Sequence, residues 1–273
     1  MPWTIVAILT RADSAEAVLQ AADLVAKGTG NAQIEILHVR HHRMEGFLPS
    51  EELMTRERRQ AFEAAQEQNS ILIKAVFDRG APSPPGPKPS WREVTGSIEK
   101  MVAEATKHAD LVVLQHPGSG GDPDLAGAIH TLLFQSRVLT LLAPAEVPVS
   151  IGRHPALARK ASEAATRVIE ASFPILLKAE QVTILSGDDA NDHSALPDNV
   201  VSALNDAGIG IELKGFSSAG RGIGSALLAE ARACGADLLI MGAYTHSRIR
   251  EFVLGGATRE ILHYADLPVL MRH

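Results

Sequence analysis

Two stretches decide the fold: Ala109-Asp-Leu-Val-Val-Leu114 and Ala236-Asp-Leu-Leu-Ile-Met241, the same pattern 127 positions apart. Each is a short, fully apolar run after an Ala-Asp pair, the mark of a strand buried on both faces of a parallel sheet. Working outward, Ser14-Ala-Glu-Ala pairs with Ser162-Glu-Ala-Ala, and Gln33-Ile-Glu-Ile-Leu37 with Gln181-Val-Thr-Ile-Leu185. Both of these pairs are 148 positions apart. A fixed period of this size means a duplicated unit. The shorter offset at the fourth strand gives the first copy extra residues between its second and fourth strands. Ala81-Pro-Ser-Pro-Pro-Gly-Pro-Lys-Pro-Ser90 is assigned to that insertion, because five prolines in ten residues suit neither a helix nor an inner strand.

Each copy alternates apolar strands with amphipathic helices. In the first, strands are expected at Thr4 to Leu9, Ile34 to Val39, Trp91 to Thr95, Asp110 to Gln115 and Val138 to Leu142. Helices are expected from about Ser14, from Ser50 toward Asn69, over Ile98 to His108, and before the last strand, with Ser14 as an N-cap. In the second, strands are expected at Arg153 to Arg159, Val182 to Ser186, Gly210 to Gly215, Leu238 to Met241 and Val269 to Arg272. Its helices are expected over Ser162 to Leu177, Leu196 to Ala207, Ser225 to Cys234 and Thr258 to Tyr264. The fold class is therefore α/β: two tandem, open, parallel five-stranded sheets with helices on both faces, of Rossmann-like type. The division falls at 1–147 and 148–273.

Composition narrows the function. The 273 residues carry 26 Lys+Arg against 32 Asp+Glu, a formal charge of -6. A basic footprint for nucleic acid is missing, so that partner is not expected. One cysteine, Cys234, excludes an intrachain disulfide. Neither a signal peptide nor a membrane helix is expected, which points to a cytoplasmic protein. His38 and His42 fall on one side of an extended run, but flanking arginines oppose a cation and no carboxylate or cysteine joins them nearby. No metal site is expected beyond magnesium carried by a nucleotide.

The segment after the second copy's fourth strand draws most attention. It runs Gly242-Ala-Tyr-Thr-His-Ser-Arg-Ile-Arg-Glu-Phe-Val-Leu-Gly-Gly-Ala-Thr258. Glycines at a strand end and again before a helix let a phosphate approach the backbone, and free amides at the helix start favour an anion. His246, Arg248 and Arg250 lie between.

Gly242 to Ile261, followed by Leu267-Pro-Val-Leu270, resembles the C-terminal signature of universal stress proteins, whose nucleotide-binding members carry Gly-x-x-Gly, nine residues, then Gly and Ser or Thr. On this chain those positions are Gly242, Thr245, Gly255 and Gly256; two of the four match. The resemblance implies an adenine-nucleotide alpha-hydrolase-like fold and a cofactor of the ATP or AMP kind, in the second copy only. The binding residues it points to are Gly242, Thr245, Arg248, Gly255, Gly256, Ala257 and Thr258. Lys160 joins them because it stands where such proteins have a nucleoside-contacting Asp after the first strand; Ala12 holds that place in the first copy. The first copy's loop, Gln115 to Gly127, is a poor phosphate site. Asp122 and Asp124 would repel the ligand, although Gly118 to Gly121 leave the backbone open.

The family resemblance implies a non-enzymatic stress-response protein that dimerises through its last strands. Here the two copies would form an intrachain pseudo-dimer, with a homodimer of the whole chain as a further step. The alternatives are a ligand-free interaction module acting through dimerisation, and a slow ATPase, for which Glu251 is the nearby acid. The Pro-rich loop reads as a linker.

Overall fold

The computed structural model describes residues 2–40, 56–80, 88–118, 122–159, 162–187, 196–218, 220–243 and 256–273. The first half contains β1 (Trp3–Leu9), α1 (Ala12–Thr29), β2 (Ala32–Arg40), α2 (Arg56–Gly80), β3 (Ser90–Thr95), α3 (Ile98–Ala105), β4 (Leu111–Gln115), α4 (Pro123–His130) and β5 (Leu139–Ala143). A wider, π-helical turn over Thr131–Ser136 prolongs α4. The second half contains β6 (Pro155–Arg159), α5 (Glu163–Leu176), β7 (Gln181–Gly187), α6 (Asp198–Asp206), β8 (Gly210–Phe216), α7 (Ile223–Ala233), β9 (Leu238–Gly242), α8 (Gly256–Tyr264) and β10 (Val269–Arg272).

All ten strands form one sheet in the order β3-β2-β1-β4-β5-β10-β9-β6-β7-β8. Within each half every pairing is parallel, and the two halves share the same internal order. The halves meet where β5 and β10 pair antiparallel, with Leu141 opposite Leu270. The duplicated units are therefore related by a pseudo-two-fold axis through that joint, and neither of these two strands is left as an open edge.

Strand alternation divides the core. Ile5, Ala7 and Leu9 enter one layer, whereas Val6 and Ile8 enter the other. The first layer takes α1, α2, α5 and α6 through residues such as Val18, Ile73, Val168 and Leu204. The second takes α3, α4, α7 and α8 through Val102, Leu125, Leu227 and Ile261. Each layer runs across both halves, so the β5/β10 joint is covered by apolar side chains on both faces.

The repeated Ala-Asp pair has a structural task. Asp110 Oδ2 accepts from Thr4 N at 2.8 Å, pinning the entry to β1. Its counterpart, Asp237, accepts from the amides of Gly152, Arg153 and His154, each at 3.0 Å, and holds the entry to β6. The Asp237 donors precede β6 and Thr4 lies at the start of β1, so both aspartates give partners to backbone amides at a strand entry.

Some expectations need correction. Ser14 is not the cap of α1. That helix starts two residues earlier, behind Arg11, without a side-chain cap. The Ser14 hydroxyl instead donates to Gln115 Oε1, across to the end of β4. The helix expected to fade at Asn69 continues to Gly80, because Ile73 and Phe77 supply further core contacts. At 25 residues α2 far exceeds the 9 of its counterpart α6, so a large part of the extra length is helix. Most of the Pro-rich loop lies outside the described residues. Ser162 does cap α5, accepting from Ala165 N at 3.2 Å.

Candidate functional site

In the second half, β6 and β9 are neighbours, yet the chain leaves them in opposite directions across the sheet. Their carboxyl ends, Arg159 and Gly242, therefore flank a topological switch point, where ligands of open α/β sheets bind. Gly242 makes a close approach there. A Cβ at this position would sit 2.7 Å from Ala165 N and 2.8 Å from the Ala164 carbonyl carbon. Glycine is required because the first turn of α5 presses onto the end of β9. Its counterpart in the first half is Gln115, which has room for a side chain.

Helix α8 is held firmly on its inner side. The Glu260 carboxylate accepts from the amide of Ser225 at 2.8 Å and from its hydroxyl at 3.1 Å. It thereby caps α7, whose own N-cap residue, Gly222, offers no side chain. A Cβ at Gly224 would sit 2.6 Å from the Ala257 carbonyl oxygen and 2.7 Å from Glu260 Cβ, so glycine lets α7 and α8 approach closely, and the Glu260 carboxylate occupies the space beside Gly222. One residue on, the Ile261 carbonyl accepts from His116 Nε2 of the first half at 2.9 Å. His116 Nδ1 in turn accepts from Gly118 N at 3.1 Å, which fixes the neutral tautomer with its proton on Nε2. Burial is the largest influence on this imidazole and pushes its pKa below the usual value.

At the free end of α8, Gly256 is exposed, and no described atom lies within 4 Å of the position its Cβ would take. Ala257 is half-buried, and Thr258 is buried against the body of the domain. Gly242, Gly256, Ala257 and Thr258 thus belong to one frame: a strand end and the helix start that follows it. Thr245, Arg248, Gly255 and Lys160 lie outside the described residues, as do His246, Arg250, Glu251 and His42. His38 is a core residue. Its Nδ1 lies 2.8 Å from the Leu9 carbonyl and its Nε2 2.8 Å from the Ser70 hydroxyl. Among the described residues, no group of three or more His, Cys, Asp or Glu is placed to hold a metal ion. Among them too, no helix is long and apolar enough to cross a membrane.

The first half has a cleft of about 490 Å³ at the equivalent switch point, beside the ends of β1 and β2 and under α2. Its lining includes Thr10, Arg11, Asp13, Asn69, Asp122 and Asp124. Asn69 ties α2 to the turn after β1, donating to the Thr10 carbonyl at 2.9 Å and accepting from Ala12 N at 3.3 Å. Sequence reasoning did not single out Asn69, and a lone amide in a polar helix carries no local signal for this contact. Asp122 is the N-cap of α4, accepting from Asp124 N and Leu125 N, with Pro123 at the first helical position. The Asp-Pro pair ahead of an apolar run was the available signal for that role.

Residues 158–273 match the model of the universal stress protein family. By that match, the C-terminal part of the chain is similar to a universal stress protein domain. A universal stress protein of Synechocystis sp. is 53% identical over 34 residues, a match spanning 12% of this chain and 12% of that protein. The crystal structure of a universal stress protein from Archaeoglobus fulgidus aligns with 97% of this chain and 97% of its own, at TM-score 0.63 and 16% identity. A Pseudomonas aeruginosa protein of unknown function aligns with 98% of this chain and 91% of its own, at TM-score 0.57 and 13% identity. At such identities these structures share the fold with the present chain. The fold of the whole chain, both halves together, thus has full-length structural relatives.

Proposed function

We propose that the C-terminal half binds an adenine nucleotide, ATP or AMP, with a phosphate at the start of α8, and that the chain is a non-enzymatic stress-response protein. The observation that carries this reading is the open backbone at Gly256. It combines an exposed helix start with the β6/β9 switch point in a region similar to a universal stress protein domain. Amides there would meet an anion along the helix dipole, and the body of α8 is already braced by Glu260 and His116. A braced helix start needs little reorganisation on binding. Thr245, Arg248, Gly255 and Lys160 complete the proposed site from the sequence.

A second reading, a ligand-free interaction module, draws on Gly242. That glycine, half of the family match, is accounted for by the packing of Ala164 and Ala165 without a ligand.

Thermal unfolding with ATP, ADP and AMP separates the two. Ligand at 100 times its dissociation constant adds about 2.7 kcal/mol of stability. A rise in melting temperature that is lost in Gly256→Glu supports the nucleotide site. No rise with any of the three favours the module.

A further inference from the structure

The first-half cleft lies within the size range of small-molecule sites, about 300–1,000 Å³. Its chemistry differs from that of a phosphate site. The α4 amides that would greet an anion, Asp124 N and Leu125 N, already donate to Asp122 Oδ1 at 3.0 and 3.3 Å. The guanidinium in the lining, Arg11, is chelated by Asp13, with Nε to Oδ1 at 3.1 Å. That bond raises the Arg11 pKa and lowers that of Asp13, keeping both charged. Both devices by which this cleft could hold an anion are thus satisfied by the protein's own carboxylates. The lining is rich in acceptors, with three carboxylates, Asp13, Asp122 and Asp124, to one guanidinium, beside an apolar wall of Val39, Phe62, Ala65 and Ile98.

We propose that this cleft binds a small ligand that is rich in hydrogen-bond donors and free of negative charge, with an apolar or planar body against the Phe62 wall. Hydroxyl or ammonium groups would donate to the carboxylates, and phosphorylated compounds are rejected by charge. The inference stands apart from the nucleotide site of the second half, because it rests on different residues.

The test uses the full chain and three probes: adenosine as a neutral donor, spermidine as a cationic one, and ATP. Calorimetric titration is run on the parent, on Ala65→Trp and on Gly256→Glu. Ala65 is exposed on α2, so tryptophan fills the cleft without entering the core. Adenosine or spermidine should bind the parent and Gly256→Glu alike, and at least tenfold more weakly to Ala65→Trp. Which probe binds identifies the neutral or the cationic source. Binding by neither, or binding unaffected by Ala65→Trp, overturns the proposal. So does ATP binding in Gly256→Glu that Ala65→Trp abolishes. Failure of the nucleotide reading shows up separately, as loss of ATP binding in the parent chain.

Discussion

The starts of α4 and α8 occupy the same place in the two halves and have been resolved in opposite ways. In the first half an Asp-Pro pair closes the helix, with the Asp122 carboxylate supplying the negative charge its amides attract. In the second half the helix begins at Gly256 and the residue before it in sequence is Gly255, so neither position offers a side chain for that role. The same contrast recurs one element earlier, where Gln115 accepts from Ser14 and Thr10 while Gly242 admits the backbone of α5. Duplication supplied two equivalent switch points. Small changes of residue type separate them: one is a self-satisfied acidic cleft, and the other starts its helix at an exposed glycine.

The largest effect should come from giving Gly242 a side chain like its counterpart. Gly242→Ala must displace the backbone of Ala164 and Ala165, at a cost of about 1–3 kcal/mol by denaturant unfolding. A change below about 0.5 kcal/mol would mean that α5 yields easily and that the two strand ends are interchangeable. Next, Asp122→Ala removes the cap of α4 and should destabilise by about 1 kcal/mol. If phosphate then binds the first half, the cap alone separated the two sites.

A smaller effect, of opposite sign, is expected from Gly256→Glu. The substitution replaces glycine at a helix start and sets a negative charge at its positive end, together a gain of roughly 0.5 kcal/mol. The ligand-free melting temperature should rise while any nucleotide response disappears. A fall would show that Gly256 needs a conformation only glycine adopts.

The smallest effect links the halves through His116. Its folded pKa is depressed below the ordinary value near 6.5, so the unfolded chain takes up the proton first. The contribution is whole above about 6.5 and declines as pH falls from there toward the folded pKa. Melting temperatures from pH 8 to 5 should therefore drop less steeply in His116→Gln than in the parent. Parallel curves would remove His116 as a pH-dependent tie.

Much of this architecture is legible in the sequence, because burial on both faces forces Leu111-Val-Val-Leu and Leu238-Leu-Ile-Met into unbroken apolar runs. Order and type of the elements follow from such periodicity. Long-range polar contacts do not. Glu260 capping α7, Asn69 bridging to Ala12 and Ser14 reaching Gln115 each join residues remote in the chain. Nothing local distinguishes them from solvated side chains. Asp122 shows the opposite case: its charge alone speaks only against phosphate, whereas its place before Pro123 marks it as a cap. Of the site itself, the glycines could be found by family pattern, but the reason for Gly242 lies in the packing of α5.

The antiparallel seam between β5 and β10 has a kinetic consequence. The two halves that carry these strands ride on one polypeptide, joined by the stretch 144–154, so their encounter is a first-order event. Effective concentration, set by that short tether, replaces the amount of protein in solution. Dilution should leave the seam intact, and neither half has to find a mate before the other can use it.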